Sequence, residues 1–204
     1  MAEYRLRTPL SEQDVRKLVV GDIVYLSGVI VSARDAAHKR ALEILRRGEK
    51  LPIDLSGLAV YHVGPVVRKT ESGWDIISAG PTTSTRMELY EAEFIERTGV
   101  RMIIGKGGMG PKTTEACKRF GAVYTIYPGG VAALAAKAVK RVVDVYWLDL
   151  GIPEAMWVME VEDFGPLTVI IDSRGNNFYE ERYREIRNKL DKEIYPHILS
   201  LLEK

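Results

Sequence analysis

Apolar and polar positions along this chain follow two rhythms, and the alternation between them predicts an α/β layer fold. A short helix is expected after Pro9, over SEQDVRKL. Asp22 to Ser32, DIVYLSGVIVS, is dense in β-branched residues and reads as one long strand or two bent at Gly28. The spacing then predicts a helix over Asp35–Arg47, in which His38, Leu42 and Leu45 fall on the inward stripe. Strands over Leu58–Val63 and Trp74–Ala79 bracket a polar turn at Arg68–Gly73 and so form a candidate hairpin, followed by a helix over Arg86–Arg97. Two strand-loop-helix units come next. Val100–Ile104 leads into GKGGMGP and a helix through Phe120, and Ala122–Tyr127 leads into PGG and the helix VAALAAKAVKRV. Such units imply adjacent parallel strands. Further strands are expected at Val142–Trp147, Trp157–Val161 and Leu167–Ile171. The charged segment Tyr179–Leu202 reads as a helix broken near Pro196, a surface element or docking arm. With no repeat, linker or composition shift, residues 1–204 are expected to form a single domain with a mixed sheet.

Composition narrows the function. Lys plus Arg total 29 against 28 Asp plus Glu, so a net charge of +1 gives no general attraction to nucleic acid or an anionic membrane. The longest uncharged stretch, Phe120–Ala136, is broken by Pro128, Gly129 and Gly130 and is too short to cross a bilayer; the N-terminus lacks a signal-peptide core. A cytoplasmic location is expected. One cysteine, Cys117, excludes an internal disulfide and a self-contained iron–sulfur site, which takes about four thiolates. His38, His62 and His197 are too scattered for zinc-finger or zincin spacing, so no metal site is expected.

Three junctions carry candidate chemistry. ARDAAHKR places Arg34, Asp35 and His38 where a strand ends and a helix begins. Asp35 is expected to cap that helix, and His38 reads either as a satisfied core histidine or as a site residue. In GPTTSTRME, Thr85 and Glu88 have the spacing of a capping box, which would start a helix at Arg86. The loop before it then offers Thr82, Thr83 and free amides at a positive helix end, a seat for carboxylate or phosphate that Arg86 would complete; the alternative is a well-capped helix with a solvated arginine. GKGGMG has the form of a dinucleotide fingerprint, but the next strand, AVYTIYP, lacks the acid that would hold a ribose. It is no P-loop either, because Lys106 precedes its glycines. What remains is a lysine at a strand end as a point charge for an anion. Cys117, in line with Thr113 and Phe120, reads as core; His62 is undecided, and Tyr127–Gly130 is a loop able to line the same cleft. Three cations at neighbouring junctions suit a substrate with two carboxylates.

At these residues the chain resembles the β subunit, or C-terminal domain, of the class I fumarase and L-tartrate dehydratase family of iron–sulfur hydro-lyases. The likeness rests on R-D-x-A-H, G-P-T-T-x-x-R-M and K-G in order, with GIPEAMW and VEDFGPLTVIIDSRGNN beyond them. It implies a three-layer β/β/α swivelling domain with a mixed sheet. It also implies a [4Fe-4S] cluster bound by an α subunit and not by this chain, an α2β2 assembly, and reversible hydration of fumarate to (S)-malate. Dehydration of L-tartrate to oxaloacetate, or silent dicarboxylate binding, are the alternatives. In that resemblance the cluster iron acts on the C2 hydroxyl of malate. Arg34, Arg86 and Lys106 bind carboxylates, Thr82 is the base at C3, His38 is an active-site position, and Asp35 and Thr83 support them.

Overall fold

The computed structural model describes residues 1–71, 73–196 and 198. In chain order it shows β1 (Glu3–Arg7), α1 (Glu12–Arg16), β2 (Ile23–Ser32), α2 (Asp35–Arg46), β3 (Ala59–Tyr61), β4 (Val66–Thr70) and β5 (Gly73–Ser78). A 3-10 helix (Ser84–Leu89) leads to α3 (Glu91–Thr98), β6 (Met102–Gly105), α4 (Pro111–Phe120), β7 (Val123–Ile126), α5 (Ala132–Ala138), β8 (Val139–Tyr146), β9 (Met156–Ile171) and α6 (Phe178–Lys189).

The main sheet runs β1-β2-β3-β6-β7-β9-β8. Strands β1, β2, β3, β6 and β7 are mutually parallel where they pair. β9 returns antiparallel against β2, β7 and β8, so the ring β2-β3-β6-β7-β9 closes back on β2. Alternation along the strands splits the interior into two cores. Tyr61, Ile104, Trp157 and Phe164 face one side, where Trp74 and Ile76 of the β4–β5 hairpin and Ala135 of α5 cover them. Val60, Ile103, Tyr124 and Val158 face the other, under Ala37, Ala41 and Leu42 of α2, Phe94 and Ile95 of α3, and Cys117 of α4. The layers are β, β and α, with a mixed sheet as expected.

Several boundaries differ from the sequence reading. The EYRLR segment is an edge strand whose alternate positions are only half-buried, too weak a pattern to signal itself. The hairpin partner of β5 is VVRKT, while Leu58–Val63 lies in the main sheet. The alanine-rich helix stops at Ala138, and VKRV begins β8, where β-branched valines meet β9. The strands expected at Trp157–Val161 and Leu167–Ile171 are one strand. Two intervals of β9 hold an extra residue against β2, between Val161 and Phe164 and between Phe164 and Leu167, so EDFGP forms bulges where it resembles a turn. Of the two readings of Asp22–Ser32, the single long strand is the one formed, and β2 runs unbroken through Gly28, whose φ is +100° and where a Cβ would lie 2.5 Å from the Thr8 hydroxyl. In the C-terminal segment a π-helical turn at Leu190–Ile194 follows α6, ahead of the break expected near Pro196; residues 199–204 and His197 lie outside the described residues.

Candidate active site

The parallel strands deliver the predicted residues to one edge. β2, β3, β6 and β7 end side by side, and the backbone stays stitched just beyond them: the amide of Ala33 donates to Tyr61 O (3.1 Å), that of His62 to Ile104 O (2.8 Å), and that of Tyr127 to Gly105 O (2.9 Å). Arg34, His62, Lys106 and the PGG loop therefore leave from the carboxyl edge of the sheet, where open α/β folds place ligands. The loop carrying Thr82 and Thr83 crosses this edge. Thr82 N donates to His62 O (2.8 Å), Ser84 N donates to Lys106 O (3.0 Å), and Thr83 forms a parallel bridge with Lys106. Arg86 reaches back to α2 and holds Asp35 Oδ2 at 2.7 Å. Thr83, Arg86 and Lys106 are exposed, Arg34, Asp35 and Thr82 are half-buried, and His38 lies fully buried beneath them.

Two local expectations are corrected. Asp35 does not cap α2. Arg34 is the residue at the cap position and gives no side-chain bond, while Glu154 Oε2 accepts from Ala36 N at 3.0 Å. Its other oxygen, Oε1, stands 3.1 Å from Arg34 Nε, so one carboxylate bonds the helix start and forms an ion pair with the arginine. Gly64 makes room for this: a Cβ there would come within 2.6 Å of the guanidinium. The capping box also fails. The Thr85 hydroxyl donates to Gly108 O (2.9 Å), and Glu88 caps α4 instead, accepting from Gly110 N (2.7 Å), Lys112 N (3.0 Å) and Thr113 N (3.2 Å). Arg86 consequently sits in a 3-10 turn, and α3 starts at Glu91.

Beneath the surface cations runs a buried polar chain. His38 Nδ1 meets Arg34 O at 2.8 Å; Glu91 Oε2 lies 3.4 Å from His38 Nε2 and 2.9 Å from His62 Nε2; His62 Nδ1 meets Ser84 Oγ at 2.9 Å. Ser84 Oγ accepts from Lys106 N at 3.1 Å. His38, His62 and Glu91 have no exposed side-chain surface. Burial alone would neutralise Glu91, but the two imidazoles outweigh it and hold the carboxyl at about 2, so it is ionised. Burial likewise pulls His38 down, and Glu91, with the Arg34 carbonyl and Asp35, more than reverses this, leaving His38 above the usual histidine value. For His62 burial prevails over Glu91's attraction, helped by the charge on His38, and its value is lowered. The three side chains have the composition of a divalent-metal site, with ligand atoms within 4.8 Å of one another; His38 Nδ1 and both ring nitrogens of His62 have hydrogen-bond partners, while His38 Nε2 has only the 3.4 Å ion-pair contact with Glu91.

Sequence reasoning missed Glu91, Glu154 and Ser84. Glu91 had a signal: with Phe94, Ile95 and Thr98 it forms the buried stripe of α3, an acid at an i, i+3, i+4, i+7 core position. Glu154 and Ser84 had none, because their partners come from distant parts of the chain. Cys117 is fully buried, as expected, and burial pushes its thiol far above its ordinary range. It is no thiolate ligand, so this chain's residues do not fit an iron–sulfur cluster.

Comparison with known proteins supplies the family. Residues 1–182 match the family model described as fumarase C-terminus. The chain belongs to this family. It is 46% identical over 196 residues to the L(+)-tartrate dehydratase subunit beta of Escherichia coli K12, covering 95% of this chain and 96% of that one. It is 50% identical over 186 residues to a putative L(+)-tartrate dehydratase subunit beta of Methanocaldococcus jannaschii, covering 91% and 95%. It is also 42% identical over 186 residues to a putative class I fumarate hydratase of Geobacillus stearothermophilus, covering 91% of this chain and 35% of that longer one. Among the described residues no helix is long and apolar enough to cross a membrane.

Proposed function

We propose that this chain is the β subunit of an iron–sulfur hydro-lyase that interconverts fumarate and (S)-malate, and that it supplies the carboxylate-binding half of the active site. The observation that carries this reading is the gathering of Arg34, Arg86 and Lys106 at one sheet edge, with the Thr82 hydroxyl on the loop between them. The cluster belongs to an α subunit, consistent with the relatives' designation as subunit beta and with a fumarate hydratase relative about three times longer than the matched part. An α2β2 assembly follows from the same resemblance, and its expected location is the cytoplasm.

Within this chain the division of labour is electrostatic. Arg34, oriented by Glu154, and Arg86, oriented by Asp35, grip carboxylates through planar guanidinium groups; Lys106 adds a point charge. Thr82 handles the proton at C3. A threonine alkoxide is costly near neutral pH, so the neighbouring cations must lower its cost while the partner's surface excludes water. His38 has no exposed surface and acts on the site through Arg34 rather than on the substrate. Conversion of L-tartrate to oxaloacetate is the second reading, favoured by the end-to-end match to the tartrate dehydratase β subunits.

The test is anaerobic reconstitution with the cognate α subunit, assaying fumarate hydration and L-tartrate dehydration side by side. Turnover should require both chains, and Arg86→Ala or Lys106→Ala should lower kcat/KM by about 10³-fold while the complex still assembles. Activity from this chain alone would overturn the two-subunit reading, and dicarboxylate binding without turnover would make the subunit a silent binder.

A further inference from the structure

The buried chain beneath the site connects two particular points. It starts at the backbone carbonyl of Arg34 and ends at the backbone amide of Lys106, passing through His38, Glu91, His62 and Ser84. These links join α2, α3, the exit of β3, the 3-10 turn and the exit of β6. One proton arrangement fits every hydrogen bond of the run and leaves His38 Nε2, in ion-pair contact with Glu91, and Glu91 Oε1 without hydrogen-bond partners. Nδ1–H of His38 donates to Arg34 O and its Nε2–H points to Glu91; Nε2–H of His62 donates to Glu91 and its Nδ1 accepts from Ser84; Ser84 Oγ accepts from Lys106 N. This needs a cationic His38, an anionic Glu91 and a neutral His62.

Both imidazoles converge on the same oxygen, Glu91 Oε2, while Oε1 is buried without a partner. The carboxylate is thus held as a clamp between two rings. An apolar residue at this position of the α3 stripe would avoid the cost of a buried charge and would pack against Phe94 and Ile95. What an apolar residue would not do is set the distance between the loop bearing Arg34 and the loop bearing Lys106.

We propose that Glu91 is a positioning residue, whose clamp between His38 and His62 fixes the spacing of Arg34 and Lys106 so that the two ends of a dicarboxylate are gripped together. This rests on the carboxylate-binding reading above. A spacing device has a signature that mere stabilisation lacks: its loss weakens ligands that bridge both cations and spares those that use one.

The experiment uses the reconstituted complex and Glu91→Gln, which keeps the shape but removes the charge and one of the two equivalent oxygens. Competitive inhibition is measured with succinate, a dicarboxylate, and with propionate, a monocarboxylate. The inhibition constant for succinate should rise about tenfold, as expected when one charged anchor is misplaced, and that for propionate less than about twofold. Ser84→Ala, which cuts only the last link before Lys106, should shift succinate in the same direction by a smaller factor and serves if Glu91→Gln folds poorly. In the full chain alone, imidazole ¹⁵N shifts should show His38 doubly protonated and His62 singly protonated, with His38 becoming neutral in Glu91→Gln. Equal loss for both inhibitors, no loss, or a neutral His38 in the unaltered chain would overturn the proposal. A wild-type complex that neither turns over nor binds dicarboxylates would instead overturn the functional reading beneath it.

Discussion

Glu91 is also where the acid sensitivity of the protein concentrates. Its carboxyl is held at about 2 against an ordinary 4.5, so its contribution to stability is present above 4.5 and is lost as pH falls from there toward 2. His62, held below 6.5, works in the same direction, because on acidification the unfolded chain takes up a proton that the folded one refuses. His38, raised above 6.5, opposes it: its contribution is complete below 6.5 and fades as pH rises through its folded value. Asp35 of α2 adds its charge to the field on both histidines, and Cys117 of α4 and Tyr124 of β7 feel the charge of Glu91. The unfolding temperature should therefore drop between pH 4.5 and 2, and the drop should be shallower in Glu91→Gln, as followed by circular dichroism melts. Parallel curves would move the effect elsewhere, for instance to the half-buried Glu93 between Arg46 and Arg97. At this scale the sequence showed the cations, the threonines and His38, since charge and junction position are local properties. It hid Glu154, which acts on Arg34 from 120 residues away in the chain.

At the scale of elements, most helices and strands were legible from periodicity, and the errors arose where one side chain chose a different partner. Glu88 is the clearest case. The spacing from Thr85 places it in a capping box of its own helix, but the 3-10 geometry of Ser84–Leu89 turns it toward α4, whose start at Gly110 and Pro111 lacks a side-chain cap of its own. There its two oxygens take three backbone amides and the Thr113 hydroxyl (2.6 Å). Glu88→Ala should cost about 1–2 kcal/mol in urea unfolding, the range for loss of a helix cap. Thr85→Ala removes a single bond to Gly108 O and should cost about 1 kcal/mol or less. Equal costs for the two would restore the capping box. The same substitution tests how the loop is supported, because the Gly105–Gly110 segment bearing Lys106 is pinned at its far end by Glu88.

For the whole molecule, the question is whether two cores make one cooperative unit, and we propose that residues 1–204 behave as a single domain. The sequence gives no boundary, but 204 residues are enough for intermediates to be common. The argument for cooperativity is that the two cores share their strands. Tyr61 and Val60, or Trp157 and Val158, are adjacent residues facing opposite cores, so the β face cannot unfold without baring the back of the α face. β9 adds a topological reason, because it pairs with β2, β7 and β8 and its release would open the ring and both cores together. None of this was legible in the chain's pattern, since ring closure depends on a pairing between residues more than 130 positions apart, such as Ile23 with Thr168. The check uses two probes. In a Trp147→Phe background the remaining tryptophans, Trp74 and Trp157, pack edge to face at 5.4 Å in the β-face core, while far-ultraviolet dichroism follows the helices of the α face. The two unfolding curves should coincide in midpoint and slope. An early loss of the tryptophan signal with the helices intact would mean that the hairpin layer melts separately, and that the sheet, rather than the whole chain, is the unit that carries the site.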